Sequence, residues 1–475
     1  MTLNLDHCLM IATLANSEEP RMDVRRRWNR RQVLGRLASV AGAVAAAPTI
    51  LPAAALGRED TAAPSERITI GFIGVGAMGS GHVRLLLNYP AAQILAICDV
   101  DRGRRELAQQ AVEQTYAERT PGGQYRGCAA YNDLRELLAR QDIDAVVIAT
   151  GDRWHGLASV MAAQAGKDIY CEKPMSLTIH EARTMVERVR RYERVFQTGL
   201  QQRTTPEFRK ACDLVQRGRI GKVQVVYVCF PGTCDDVNLP AEPVPDGLDW
   251  DLWLGPSPWR PFNNRFHHPY GKPGDVVPWH FCRDFGGGNL TSNAVHAFDV
   301  VQWGLGMDDS GPVEITPPET GTYPVLTYRY ATGTLLQVAW KLDAGVHLVP
   351  EGWDVNTPIQ NFGAVFVGEE GWIHVGREGF LQAYPAGILG EATEPTRARR
   401  TVANHHQNWL ECVRSRQRTA CDVEIGCRST TVAHLGCIAH WTGRTLQWDP
   451  AKEEFVGDDA ANRLRQRALR EPWTM

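Results

Sequence analysis

The six residues from Gly74 to Gly79, Gly-Val-Gly-Ala-Met-Gly, have the types and spacing of a turn that binds phosphate groups. The apolar run Ile68–Ile73 before them predicts a buried strand, and a helix is expected over about 82–88. Glycines at these places permit a tight turn, close approach of the backbone to a pyrophosphate, and close packing of helix on strand. The first N–H groups of the helix would face the phosphates. We therefore expect a dinucleotide site formed by Gly74, Gly76, Ala77, Met78 and Gly79.

Asp99 follows a second predicted strand, over 94–98, and supplies an acid about twenty residues beyond the turn. A carboxylate there can hold the two hydroxyls of a ribose and repels the 2′-phosphate of NADP, which favours NAD. Arg102, Arg104 and Arg105 come next. They could neutralise such a phosphate, or they could be solvated residues of the following helix. We expect NAD as the cofactor, and the arginines leave NADP open.

The elements that must position this turn alternate between strand and helix from residue 66 to 200. Further strands are expected over 144–150, 168–171 and 195–199, and further helices over 154–165 and 178–192. Such alternation predicts a Rossmann domain, a doubly wound parallel sheet whose ligands bind outside the carboxyl ends of its strands. Thr150, Lys173 and Gly199 lie at or just past such ends, so we expect them at one site.

Residues 201–475 change in character and predict a second domain, as the length of 475 residues also suggests. Alternating apolar runs and short turns between 223 and 375 predict a large, mostly antiparallel open sheet in an α+β domain. A Trp- and Pro-rich loop over 231–288 has little periodicity. A loop of that length is usually functional or wrapped around a partner.

The tryptophans of loop 231–288 suggest a carbohydrate ligand. Their faces suit the C–H faces of sugar rings, and the polar side chains beside them suit hydroxyl groups. The tryptophans are Trp250, Trp253, Trp259 and Trp279, and the polar residues are Arg260, Arg265, His267 and His268. Tryptophans also fix long loops to a core or form oligomer interfaces. We favour sugar binding and keep that second interpretation open.

The composition is ordinary for a globular protein, with 22% charged residues and a formal net charge of −3. This charge gives no electrostatic reason to expect nucleic acid or an anionic membrane as a partner. The 12 cysteines and 14 histidines lack metal-ligand spacing, so we expect no metal site. Cys229 with Cys234, and Cys421 with Cys427, are close enough for disulfides, which the sequence alone does not decide.

The N-terminal region has the three parts of an export signal in the right order. A basic segment over 25–31 precedes an Ala/Gly-rich apolar segment over 37–47, and small residues at 52–55 form a cleavage site of the A-x-A type. The pair Arg30-Arg31 resembles the twin-arginine (Tat) variant of such signals. The pattern predicts recognition by the Tat translocase.

We therefore expect residues 1–57 to be a leader that contains a Tat signal peptide. Residues 1–21 carry acidic side chains where a basic region belongs, so translation is expected to start at Met22. The mature chain is expected in the periplasm. No apolar stretch of the mature region is long enough to span a bilayer, so we expect no stable membrane insertion after cleavage.

From about residue 68 to the C-terminus, the chain resembles the Gfo/Idh/MocA oxidoreductases, and most closely their Tat-exported members. That family is named for glucose–fructose oxidoreductase, inositol dehydrogenase and a rhizopine-catabolism protein. The resemblance lies in the glycine turn, Ala149-Thr150, Ala165-Gly166-Lys167-Asp168, Glu172-Lys173-Pro174, and Gly286-Gly287-Gly288 leading to His296 and Asp299. It implies a sugar or polyol substrate bound by the second domain, and a homodimer or homotetramer.

The same resemblance places Lys173 beside the nicotinamide, hydrogen-bonded to the hydroxyl that is oxidised, where an ammonium stabilises the developing negative charge. It makes His296 the proton acceptor, because a neutral imidazole takes a proton near pH 7. The acid usual four residues earlier is here Ser292. Asp299, on a similar helix face, or Asp284 could replace that acid, or both could be structural.

The resemblance also assigns residues to the nicotinamide and its ribose. They are Thr150, Trp154, His155 and Lys173. Glu172 and Gln202 could contact the same groups, or either could be a packed surface residue. In this loop the family's usual Pro and His are Gly151 and Arg153, which makes the loop looser and more basic.

Export and a nicotinamide site conflict, because free NAD(H) is not expected outside the cytoplasm. The Tat route carries proteins already folded around a cofactor. We therefore expect a tightly bound NAD(H) that is reduced and reoxidised within one cycle on a sugar, polyol or glycoside. The alternatives are an ordinary NAD-dependent sugar or polyol dehydrogenase and a non-catalytic sugar-binding homologue.

Overall fold

The computed structural model describes residues 66–475 except 121, 268–278, 344–346 and 391–400, and only the backbone of 401–403. The expected leader over 1–57, with its Tat signal and Met22, lies outside the described residues, as does His268. No helix within the described ranges is long and apolar enough to cross a membrane.

The first sheet has six parallel strands in the order β3-β2-β1-β4-β5-β6. The strands are β1 (Ile68–Ile73), β2 (Ala92–Cys98), β3 (Ala129–Tyr131), β4 (Ala145–Ile148), β5 (Asp168–Cys171) and β6 (Phe196–Thr198). The strand order reverses between β1 and β4, and a ligand crevice is expected at the carboxyl ends beside that point. The predicted Rossmann sheet is confirmed.

Helices connect these strands. They are α1 (Ala77–Leu86), α2 (Arg102–Glu118), α3 (Leu134–Leu138), α4 (Asp152–Gln164) and α5 (Ile179–Arg191). Helix α1 begins five residues before the predicted start at 82. Gly79 is a poor helix former by propensity. Here it is packed tightly against the carbonyl oxygen of Gly74. Tertiary packing therefore extends the helix to the glycine turn.

The second sheet has nine strands in the order β13-β12-β11-β7-β10-β9-β8-β14-β15. Its strands are β7 (Val223–Val228), β8 (Glu314–Thr316), β9 (Thr327–Arg329), β10 (Leu335–Val338), β11 (Ala364–Gly368), β12 (Trp372–Val375), β13 (Leu381–Tyr384), β14 (Leu446–Asp449) and β15 (Glu454–Phe455). Strands β7 and β10 pair in parallel, and the other pairs are antiparallel. The predicted mostly antiparallel sheet is confirmed.

Six described helices belong to the second part of the chain. They are α6 (Pro206–Gln216), α7 (Trp250–Leu254), α8 (Val295–Gly304), α9 (Thr401–Ser415), α10 (Val423–Thr442) and α11 (Asp459–Arg463). Helices α8 and α10 cover the nine-stranded sheet through a core that includes Phe298, Leu435 and Phe366. Helix α9 instead returns to the Rossmann sheet, where Trp409 packs on Tyr170.

The four cysteines considered for disulfides have free thiols. Cys229, Cys234, Cys421 and Cys427 are all buried and unbridged. Burial raises the pKa of the Cys427 thiol to about 12 and that of Cys229 to about 11. These side chains therefore pack as small apolar groups.

Candidate active site

The glycine turn forms a cradle in which backbone atoms approach one another closely. Gly74 has a φ of +88°, and a Cβ there would lie 2.8 Å from the backbone nitrogen of Thr150. A Cβ on Gly79 would overlap the carbonyl oxygen of Gly74. No side chain caps the first turn of α1, whose helix begins at Ala77. Its free N–H groups therefore suit the diphosphate of a dinucleotide.

A cavity of about 430 Å³ opens from this cradle. The sequence-predicted cofactor residues in its wall are Gly74, Gly76, Ala77, Met78, Asp99, Thr150 and Trp154. The Asp99 carboxylate is fixed, because it accepts hydrogen bonds from the backbone N–H of Val75 at 2.8 Å and of Asp101 at 2.9 Å. Further lone pairs on its oxygens suit a ribose diol. Arg104 is the member of the arginine triplet that lines this cavity.

Lys173 lies just past β5 and is joined to the second part of the chain by one hydrogen bond. Its Nζ donates to the carbonyl oxygen of Ser292 at 2.6 Å. Ser292 belongs to a π-helical turn, Leu290–Ala294, that runs directly into α8 and thereby positions His296. Such turns widen a helix locally and are frequent at functional sites. The position of the family's acid is thus occupied by a residue whose backbone oxygen holds the lysine.

His296 is buried and is held through Gln202. With its amide nitrogen toward the ring, Gln202 donates to Nδ1 at 2.9 Å, and its oxygen accepts from Nε and Nη2 of Arg377, both at 3.0 Å. The reverse orientation would place the amide NH₂ against the guanidinium, which has only donors. The Arg377 guanidinium in turn lies 3.8 Å from the ring centre of Phe362.

This chain of donors fixes the tautomer of His296. Because Nδ1 accepts the Gln202 proton, the neutral ring carries its own proton on Nε2 and is a hydrogen-bond donor there. Burial and the Lys173 and Arg377 cations hold the pKa of His296 well below 6.5. The expected role of His296 as proton acceptor stays a prediction, and this tautomer favours a hydrogen-bond donor at Nε2.

Lys173 is one of the groups at this site whose pKa departs from its ordinary value. Burial lowers the pKa of Lys173 and Arg377 lowers it further, against the raising effects of Glu172 and Asp152. A desolvated lysine with a lowered pKa can act as a general base near neutral pH.

The two acids proposed as partners of the imidazole lie elsewhere. Both carboxylate oxygens of Asp299 accept from Arg203 Nε at 2.9 Å, and one of them also accepts from Ser429 Oγ at 2.8 Å. Asp284 pairs with Arg260. These contacts favour the alternative that both acids are structural, and replacement of the family carboxylate by either acid stays a prediction.

Two predicted cofactor residues build the floor of the site. Glu172 accepts from the next backbone N–H at 3.1 Å and lies 2.9 Å from His82 Nε2 on α1. His155 lies between two carbonyl oxygens, with Nδ1 2.6 Å from that of Pro174 and Nε2 3.2 Å from that of Thr150. These contacts tie the lysine turn to α1 and to the loop after β4.

The loop tryptophans divide between the cavity and the core. Trp253 and Trp279 line the cavity. Trp250 stacks on Trp253 at 4.4 Å and is buried, whereas Trp259 is 67% exposed. One tryptophan thus fixes the loop and two line the cavity, and sugar binding by those two stays a prediction.

Sequence reasoning missed three charged or titratable residues of this region and named a fourth, Arg153, only as a departure in the loop after Thr150. Arg377 follows β12 and has no motif around it. His82, three residues after the glycine turn, could have been found from its place on α1. Asp152 and Arg153 come two and three residues after Thr150, and both are buried side chains in the first turn of α4. Their proximity to a predicted cofactor residue was the available signal.

Two family profiles match this chain. The Gfo/Idh/MocA profile described as "Oxidoreductase family, NAD-binding Rossmann fold" matches residues 68–200. The profile described as "Oxidoreductase family, C-terminal alpha/beta domain" matches residues 232–475. The cradle and Asp99 fit the NAD that the first description names.

Among curated proteins, the chain is similar to myo-inositol 2-dehydrogenase of Thermotoga maritima. The two are 30% identical over 159 residues, 34% of this chain and 44% of that protein. A "Glycosyl hydrolase family 109 protein" of Shewanella pealeana is 32% identical over 167 residues, 33% of this chain and 35% of that protein. The chain thus matches less than half of the length of these relatives.

Solved structures share the fold. Levoglucosan dehydrogenase in complex with NADH and L-sorbose superposes with a TM-score of 0.54 at 17% identity, covering 80% of this chain and 99% of that one. Aldose-aldose oxidoreductase from Caulobacter crescentus, in complex with glycerol, gives a TM-score of 0.53 at 16% identity over 80% and 99% of the two chains.

Proposed function

Because this chain belongs to the Gfo/Idh/MocA family of oxidoreductases, we propose that it oxidises a hydroxyl-bearing carbon of a sugar, polyol or glycoside by hydride transfer. The observation that carries the proposal is the hydrogen bond from Lys173 to the backbone of Ser292, because Ser292 lies in the turn that runs into the helix of His296. They meet at the carboxyl end of β5, next to β4, whose following loop lines the dinucleotide cavity. Bound NAD supplies the hydride acceptor.

In this proposal Lys173 and His296 act on the same substrate oxygen. Lys173, as a neutral amine, takes the hydroxyl proton while the adjacent C–H bond breaks and a C=O bond forms. His296 donates a hydrogen bond from Nε2 and stabilises the negative charge that develops on that oxygen. Gln202 and Arg377 keep the ring in the tautomer that can donate. The hydroxyl proton thus goes to Lys173, and the hydride goes to the acceptor that bound NAD would supply.

We further propose that NAD(H) stays bound and is reduced and reoxidised within one cycle. The export signal over 25–55 supports this, because the Tat route accepts folded, cofactor-loaded proteins. Similar proteins named glycosyl hydrolase family 109 protein and aldose-aldose oxidoreductase fit a redox-neutral outcome. Transient oxidation next to a C–H bond makes that hydrogen acidic and permits glycoside cleavage, which would be the variant activity.

The first test is to purify the chain from Arg58 onward without nucleotide, denature it, and assay the supernatant for NAD and NADP by mass spectrometry. Near-stoichiometric NAD(H), with turnover of a sugar or glycoside when no NAD is added, supports the proposal. An empty protein that turns over only with added NAD supports the ordinary dehydrogenase, the activity that the name of the inositol dehydrogenase relative describes. A protein that binds neither dinucleotide overturns both.

We propose the periplasm as its location and a homodimer or homotetramer as its assembly, with the nine-stranded sheet as the interface. Support for the interface is an open groove on that sheet, lined by Val225, Tyr227, Leu335 and Gln337. Fusion of residues 22–57 to a reporter that folds before export tests the location, and a variant with Arg30 and Arg31 changed to lysine is the control. Light scattering tests the assembly, and a monomer would contradict it.

A further inference from the structure

Arg153 lies in the first turn of α4 with its guanidinium held in the cavity wall. The residue is 3% exposed. Its Cζ lies 3.5 Å from the ring centre of Trp253, 5.3 Å from that of Phe285 and 5.8 Å from that of Trp279. Nε donates to the carbonyl oxygen of Trp253 at 2.7 Å. These contacts fix the guanidinium in one place against an aromatic box.

One end of this guanidinium has no partner. Nη1 is buried and forms no hydrogen bond with any residue that the structure describes. The neighbouring Asp152 does not pair with it, and Oδ2 of that carboxyl is itself buried without a partner. A buried cation with an unsatisfied N–H is costly unless something completes it. Burial also lowers the pKa of Arg153 to about 9, so the cation is kept at neutral pH.

Gly151 creates the space that this guanidinium occupies. A Cβ at Gly151 would overlap Nη1 of Arg153. The two departures from the family's usual Pro and His in this loop are therefore one feature, because a side chain at position 151 and the guanidinium exclude each other. Where the family usually has the proline ring, this loop has a buried cation that lines the cavity.

We propose that Arg153, with Gly151, forms an anion-binding position, in which Nη1 donates to an anionic oxygen of a ligand in the cavity. Two sources have this chemistry, namely the diphosphate of the dinucleotide and the carboxylate of an acidic sugar. Charge-assisted hydrogen bonds of arginine to such oxygens are among the strong ones. The inference rests on the proposed function, since both ligands are molecules that this function binds.

The test uses the Arg153→Met variant, which keeps the packing and removes the charge, and Gly151→Ala, which displaces the guanidinium. Arg283→Met is the matched control, because Arg283 also stacks on a tryptophan, Trp441 at 4.0 Å, but does not line the cavity. Thermal unfolding of each variant checks that it folds. A binding role predicts that Arg153→Met folds at least as stably as the unchanged chain, since a buried charge is removed.

Calorimetry then measures binding of NAD⁺, ADP-ribose and adenosine, and of glucuronate and glucose to the NADH complex. If the diphosphate is the ligand, Arg153→Met weakens NAD⁺ and ADP-ribose about 10- to 100-fold and leaves adenosine unchanged. If a carboxylate is the ligand, only glucuronate weakens by that factor. Affinities for NAD⁺ and glucuronate both within twofold of the Arg283→Met control overturn the inference. Failure of the unchanged chain, once freed of any nucleotide that it carries, to bind NAD⁺ rejects the proposed function itself.

Discussion

Two groups of buried and half-buried polar side chains share the same two elements and differ in how completely they are paired. The 3₁₀ turn Gln201–Thr204 contributes one residue to each of the two groups, and so does helix α8. Gln202 and His296 belong to the active-site cluster, which also contains Lys173, Ser292 and Arg377. Arg203 and Asp299 belong to the ion-pair cluster, which also contains Asp308 and Ser429. Neighbouring positions thus serve two purposes.

The ion-pair cluster is complete within itself. Arg203 bonds both oxygens of Asp299 at 2.9 Å and the two of Asp308 at 2.9 and 2.6 Å, and Ser429 donates to Asp299. Although burial acts to lower it, these carboxylates raise the pKa of Arg203 well above its ordinary value. This cluster joins the 3₁₀ turn, α8 and α10. Its side chains are paired with one another, so it is not suited to bind a ligand.

The active-site cluster is incomplete. Among the described residues no carboxylate forms an ion pair with Lys173 or Arg377, and Ser292 Oγ is buried without a partner. The pKa values of Lys173, His296 and Arg377 are all lowered, chiefly by burial. Unpaired buried groups destabilise a fold, so their retention here marks a place where a ligand completes them.

The largest expected effect comes from breaking the complete cluster. Arg203→Met should lower the free energy of unfolding by about 3–5 kcal/mol, because it leaves Asp299 buried without its cation. The double variant Arg203→Met/Asp299→Leu should recover much of that loss, since both charges are then gone. Urea unfolding followed by fluorescence measures both. A single variant as stable as the unchanged chain would mean that this cluster is not the structural one.

The next effect comes from the incomplete cluster and should appear in rate rather than in stability. Lys173→Met should reduce kcat on the order of 100-fold or more, with the melting temperature unchanged or raised. Because Lys173 is the proposed proton acceptor, the rise of kcat with pH should also disappear.

His296→Gln is the control for Lys173→Met, because glutamine keeps a donor and removes the imidazole. It should reduce kcat less and keep the rise of kcat with pH. Steady-state rates between pH 6 and 10 separate the two residues. If the pH dependence is lost in His296→Gln and kept in Lys173→Met, the assignment of the proton acceptor is reversed.

Much of the nucleotide domain could be predicted from sequence because its signals are local. The glycine turn, Asp99 and the strand ends at Thr150 and Lys173 each follow an apolar run whose length and neighbours identify a strand. Parallel strands bring their carboxyl ends to one edge, so residues that are distant in sequence are placed together by topology alone. The parallel, doubly wound sheet and part of the cavity wall followed from these rules.

The rest depends on side-chain contacts between distant elements. Nothing around Arg377 indicates that its guanidinium faces Gln202, which is 175 residues earlier in the chain. Asp299 was assigned to the imidazole by helix spacing, but Arg203 from another element supplies two hydrogen bonds that helix spacing cannot reveal. Spacing on one helix predicts which residues share a face, and does not predict which partner that face meets.

The smallest expected effect tests how the active-site cluster sets the state of His296. Arg377→Met removes the donor that fixes the Gln202 amide, so the amide can reverse and Nδ1 can take a proton. Loss of the cation raises the pKa of His296 toward its ordinary value of about 6.5. In ¹⁵N NMR spectra the ring of the unchanged chain should stay neutral at pH 6 with its proton on Nε2, whereas the ring of the variant should take up its second proton at a higher pH than that of the unchanged chain.

The same substitution should move the kinetics by a modest amount in a known direction. Arg377 lowers the pKa of Lys173, so its removal raises that pKa and protonates the base at pH values where it was neutral. The rise of kcat therefore shifts to higher pH, so that the loss of kcat is about tenfold or less at the low end of the pH range and recovers at its high end. Arg377→Lys keeps the charge and should leave the rise of kcat at the same pH as in the unchanged chain. A purely structural arginine would lower stability in Arg377→Met and leave both the NMR titration of His296 and the pH profile where they were.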